Sequence, residues 1–224
     1  MLIQVSVYQQ IISTISALIL FSSFILLTQK SLFGSINIFA FQSFLLFLAT
    51  LLQAVILHEN SMYFSAVITL VLKVISIPWL LYYFVGRLRI HQDKIVPKHP
   101  FLILLGALFL VVYCYHIIVP ITLFSSLMEK HIVVVALSVI LLGMLLMIVR
   151  RNAIIYVLGF MVMENGLFFS ALMSTQGMPM IVELGVAFDL LIAVILFGVF
   201  FFHIRTSIET MDVDSLNHLR EDLE

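Results

Sequence analysis

Residues 131–174 read HIVVVALSVILLGMLLMIVRRNAIIYVLGFMVMENGLFFSALMS, two apolar runs parted only by Arg150, Arg151 and Asn152. Each run approaches the roughly 20 residues that a helix needs to cross a hydrocarbon layer. A short basic turn between two such runs predicts a transmembrane hairpin. Working outward, further runs lie near 6–28, 33–57, 62–86, 101–124 and 178–203, which together with 131–149 and 153–174 predict seven spans. Composition agrees, with 63% of 224 residues hydrophobic and 10% charged, and a mean hydropathy of +1.21. No soluble globular domain of this length approaches that profile. The predicted fold class is therefore all-α, a polytopic membrane protein with seven transmembrane helices.

The basic residues orient these spans. Alternating the helices places Lys30, Arg87, Arg89, Lys94, Lys98, Arg150, Arg151, Arg205 and Arg220 on one side and only Lys130 on the other, with Lys73 inside the membrane. By the positive-inside rule the N-terminus faces outside and the C-terminus the cytoplasm. The same segregation favours an odd number of spans. The first run has no basic residue before it and no small-residue cleavage pattern after it, so it reads as a retained helix. A single cysteine, Cys114, excludes an internal disulfide and any multi-thiolate or iron–sulfur site built by this chain alone. No cofactor is expected in the chain itself.

Depth makes the buried charges informative. At 1.5 Å per residue, Lys73 lies about 18 Å along its helix from Ser61, Glu164 about 18 Å from Asn152 at the opposite face, and Asp189 about 16 Å from Met178. All three therefore fall near the bilayer midplane. An ionisable group at that depth is costly and points to an ion or proton pathway by default. Burial disfavours the charged form while an opposite charge favours it, so an amine and a carboxylate together form a switchable pair. The predicted relay is Lys73, Glu164 and Asp189, with Glu183 an outer-half contributor. Gly185 and Ala193 flank Asp189 at four-residue spacing and offer a small-residue approach for a neighbouring helix. Support is expected from Asn165, from His116 near Pro120, and from Pro78, five residues after Lys73, whose missing N–H frees a backbone carbonyl. The plainer alternative is an ion pair that only fixes helix packing.

Other chemistries find no footing: there is no glycine-rich phosphate loop, no Cys/His metal set, and no basic patch with interleaved aromatics for nucleic acid. No inverted repeat or pair of interrupted helices suggests a self-contained transporter.

The stretch LLGMLLMIVRRNAIIYVLGF resembles the first hairpin of the K subunit of respiratory complex I and of the C subunit of multisubunit cation/proton antiporters. MENG at 163–166, VELGVAFDLLIAV at 182–194, MDVDSLNHL at 211–219 and LKVISIPWLL in the third run narrow the resemblance to the hydrogenase-4 component E family. That resemblance implies a three-helix extension and basic loop over 1–100, a fourth helix over 101–130, a K-like three-helix core over 131–206 and an acidic tail over 207–224. It implies a subunit of the inner membrane that is not catalytic alone, within an oxidoreductase complex of the formate hydrogenlyase type. Its implied partners are antiporter-like large membrane subunits, a membrane subunit like the H subunit of complex I, hydrogenase and iron–sulfur subunits, and lipid. Asp189 matches the second proton-carrying glutamate of the K subunit. The first would fall at Met161, so Glu164 is displaced by one turn. The alternatives are a subunit of a cation/proton antiporter complex without a redox module, and a structural assembly subunit.

Overall fold

A computed structural model of the protein describes residues 2–58, 60–87, 100–120, 127–150 and 152–174, with Gly185, Ile192, Ile195 and Gly198 as isolated helical positions. Helix is the only regular structure among them. The elements are α1 (Leu2–Thr28), α2 (Leu32–Leu57), α3 (Asn60–Thr69), a π-helical segment (Leu70–Ser76), α4 (Ile77–Arg87), α5 (Pro100–Ile118), α6 (Leu127–Val149) and α7 (Ala153–Ser174). Because α3, the π segment and α4 run on as one rod, the described residues contain six helices long and apolar enough to cross a membrane. These are the first six predicted runs; the seventh, at 178–203, falls almost wholly outside the described residues. Chain packing divides into a compact unit, Met1–Val186, and a second, Ala187–Glu224.

Local chemistry sets the helix ends. Ser31 caps α2 by accepting the Gly34 N–H at 3.1 Å, and His58 ends α2 in the left-handed region with φ 54°. Asn152 caps α7, its Oδ1 accepting the Ile154 N–H at 2.9 Å. The fourth span is shorter than the 101–124 expectation, since α5 stops at Ile118, two residues ahead of Pro120. Proline cannot donate the N–H that another turn needs, and it disfavours helical geometry in the residue before it. Lys130, at the start of α6, then donates to the half-buried Val119 carbonyl at 2.9 Å.

Glycine brings α6 and α7 into backbone contact. A Cβ on Gly143 would stand 2.7 Å from the Gly159 carbonyl oxygen and 2.8 Å from the Met163 nitrogen. One on Gly166 would stand 2.9 Å from the Ala136 oxygen. Without water between helices, close packing of small residues is a main source of cohesion in a membrane. The hairpin read from residues 131–174 is thus, among the described residues, a seam at backbone contact.

Arg150 is 2% exposed and sends a guanidinium nitrogen 2.6 Å to the Leu27 carbonyl at the end of α1. This ties the α6–α7 turn to the α1–α2 turn at one end of the bundle. A cation at a helix C-terminus satisfies an orphan carbonyl and the helix dipole together. Burial pulls the guanidinium below its ordinary pKa, yet it stays charged. Replacing Arg150 by alanine is expected to lower stability by about 1.5–3 kcal/mol, the worth of a hydrogen bond to a charged group. Thermal unfolding in mild detergent measures this, and Arg150→Lys should recover part of the loss.

Candidate functional site

In the third span the helix widens at residues 70–76. The Ile77 N–H bonds the Leu72 oxygen, five residues back instead of four, and Ser76 Oγ reaches the Val71 oxygen at 2.8 Å across the same interval. Pro78 follows at once and is buried. A proline ring collides with the carbonyl four residues earlier and supplies no N–H, so a locally expanded register is a natural accommodation. Lys73 sits within this widened turn, 2% exposed.

The Lys73 ammonium lies 2.8 Å from Glu164 Oε1 on α7, with side-chain exposures of 2% and 6%. It also donates to Asn165 Oδ1 at 3.3 Å and stands 5.5 Å from the centre of the Phe168 ring. Depth counting from opposite membrane faces put Lys73 and Glu164 at one level, and the structure joins them directly. Breaking such a pair strands a charge in a low-dielectric interior, which is why paired burial is the form in which these groups persist.

The pair belongs to a larger polar string. The Asn165 amide nitrogen faces Ser43 Oγ at 3.4 Å and Gln42 Oε1 at 3.5 Å, both on α2. Gln42 Nε2 donates to Ser23 Oγ at 2.8 Å and to the Ile19 carbonyl at 3.2 Å on α1. Every member is buried: Ser23 2%, Gln42 1%, Ser43 0%, Asn165 1%, Glu164 4%. The string therefore crosses from α1 through α2 to α7 and the π segment. Glu164 Oε2 is buried without a hydrogen-bond partner in the protein. A carboxylate oxygen in that state is a place for a water or an incoming proton.

The remaining predicted residues fall elsewhere. Met161, one turn before Glu164, is 0% exposed and so is buried like Glu164. His116 is exposed near the end of α5. Glu183, Asp189 and Ala193 lie outside the described residues. Gly185 is described, and a Cβ there would stand 3.2 Å from Phe168 Cδ2, so its bareness admits the ring that underlies Lys73. Sequence reasoning missed Ser23, Gln42 and Ser43. Among the described residues no group of three or more His, Cys, Asp or Glu side chains is placed to hold a metal ion.

No protein-family model matches the chain, and no solved structure matches it. Among curated proteins, an uncharacterized protein of Mycobacterium tuberculosis, Rv0085, is 28% identical over 204 residues, 89% of this chain and 91% of that one. Hydrogenase-4 component E of Escherichia coli K12 is 26% identical over 211 residues, 94% of this chain and 97% of its own length. The component E of Shigella flexneri is similar to the same extent. The similarity that the motifs suggested thus runs along nearly the whole of both chains, and this integral membrane protein is a relative of hydrogenase-4 component E.

Proposed function

We propose that the chain is a non-catalytic membrane subunit of a hydrogenase-4 or formate hydrogenlyase-like complex, contributing a midplane charged relay to proton or cation translocation driven by redox chemistry in partner subunits. The observation that carries the relay is the buried contact of Lys73 with Glu164, formed in a π-widened turn and leaving one carboxylate oxygen unpartnered. π-bulges gather at functional sites. A proton passing from the ammonium to the carboxylate leaves a neutral amine and a neutral acid, so charge is erased and restored without moving a helix. Asn165, Gln42 and Ser43 orient the pair. Asp189, on a seventh span at 178–203, is in this reading the third member of the relay, and Glu183 extends it toward water in the outer half. In this reading the chain sits in the inner membrane with its N-terminus outside, its last three spans forming a core like that of the complex I K subunit. Antiporter-like and H-like membrane subunits flank it, and hydrogenase and iron–sulfur subunits stand on the cytoplasmic side.

Complex membership is tested by purifying the tagged chain in mild detergent and identifying what comes with it. Hydrogenase and iron–sulfur subunits are the expected companions. Antiporter-like subunits alone would transfer the chain to a cation/proton antiporter complex, and a solitary chain would contradict both.

A further inference from the structure

The hydrogen-bonded string leads from the Lys73–Glu164 pair to α1 near Ser23, toward the end of the bundle where α1 finishes. A second set of buried polar residues leads the other way. On α2 these are Ser43, Thr50 and Gln53, with exposures of 0%, 0% and 7%; on α3 they are Ser65 and Thr69, at 1% and 4%. The two helices follow one another, α2 ending at Leu57 and α3 starting at Asn60, and pack together. Counted from that turn at 1.5 Å per residue, Gln53 and Ser65 lie about 8 and 10 Å down, Thr50 and Thr69 about 13 and 16 Å, and Lys73 and Ser43 about 22 and 23 Å. By depth the two sets alternate along the packed pair of helices, successive residues differing by no more than about 6 Å on this count.

Two further observations give the seam a use. Thr50 Oγ1 and Thr69 Oγ1 donate to their own helix, to the Leu46 and Ser65 carbonyls at 2.9 and 3.0 Å, so their oxygen lone pairs remain as acceptors. Ser65 Oγ is buried with no hydrogen-bond partner in the protein, the same condition as Glu164 Oε2 at the far end. Buried polar atoms in this state are ordinarily satisfied by internal water. At its outer limit the seam reaches Gln53, whose Oε1 accepts from the phenol of Tyr8 on the first turns of α1. Tyr8 is itself half-buried and lies in the early turns of α1, near the membrane face at which α1 begins.

We infer that the α2–α3 seam is a water-bearing half-path, running from Tyr8 and Gln53 past Ser65, Thr50 and Thr69, through which protons exchange between the Lys73–Glu164 pair and that membrane face. It rests on the reading of the pair as a proton carrier. Only protons move along it: a water takes one from the ammonium, leaving the amine, or delivers one to the carboxylate, leaving the acid.

The test reads water access without needing turnover. Ser65→Cys and, separately, Thr69→Cys are made in the membrane-embedded complex and exposed to silver ion, which is small enough to follow a file of water. Thiols left unblocked are then alkylated after denaturation and located by mass spectrometry. Native Cys114 is the internal control, because it is buried in an apolar cluster with Ile118 and Val134. Access governs thiol reactivity, so both engineered cysteines should be blocked at least about tenfold faster than Cys114. Blocking at the rate of Cys114 at both positions would overturn the path. That failure is separate from failure of the pair, which is judged by translocation in variants of Lys73 and Glu164.

Discussion

Truncating Glu164 to alanine is expected to destabilise the bundle by about 3–5 kcal/mol, the cost of removing one partner from a buried ion pair. Lys73 is 2% exposed and its ammonium stands 2.8 Å from Glu164 Oε1. Asn165 Oδ1, at 3.3 Å, is a neutral acceptor and does not match the attraction of a carboxylate. Lys73→Met should cost a similar amount by stranding the carboxylate. Combining Lys73→Met with Glu164→Leu removes both charges at nearly constant volume, and a buried pair exchanged for apolar groups is often neutral or stabilising. Thermal unfolding of the four proteins in mild detergent closes the cycle. The expected result is two unstable single variants and a double variant near the parent; a double variant as unstable as the sum of the singles would mean that the two side chains do not act on each other.

Gly143→Val should be the most damaging change away from the charges. Its first side-chain carbon would meet the Gly159 oxygen at 2.7 Å and the Met163 nitrogen at 2.8 Å. Both are backbone atoms, so no side chain can turn aside, and relief requires α6 and α7 to part along their length. Overpacking typically costs about 1–3 kcal/mol and more where backbone is displaced. The loss carries a functional consequence, because α7 holds Glu164 and Asn165. Parting the helices moves both against Lys73. Gly106→Val is the control, since nothing lies within 4 Å of a Cβ there, and it should unfold with the parent.

The two sides of the central contact were legible because a charge in an apolar run is conspicuous and helix rise converts its position into depth. Lys73 and Glu164 enter from opposite faces, and each is about 18 Å down its helix, which placed both near the middle of the bilayer. The hairpin at 131–174 was legible for the same reason, as two runs of spanning length about a basic turn. Neutral polar residues carry no such flag. Gln42 and Ser43 in FAFQSFLLF and Ser23 in ALILFSSF are as compatible with a packing seam as with a hydrogen-bonded string, and one sequence does not say which helix they face. The widened turn was hidden too, although Pro78 is its trace. Pro120 was a missed stop signal for the fourth span, which ends at Ile118. His116 is exposed near the end of α5, and exposure is a tertiary fact that residue type does not carry.

The central claim is that Lys73 and Glu164 carry protons and do more than hold helices together. The direct measurement is redox-driven proton translocation by membrane vesicles whose complex contains the Lys73→Met, Glu164→Leu chain, with redox turnover and subunit content followed in the same preparation. Removing a positioned proton donor and acceptor typically costs about 10²–10⁴ in the step they serve. The account predicts a complex that assembles with its full set of subunits and turns over, but whose translocation through this subunit is lost. Assembly with undiminished protons moved per electron would contradict it and leave the pair as a structural clamp.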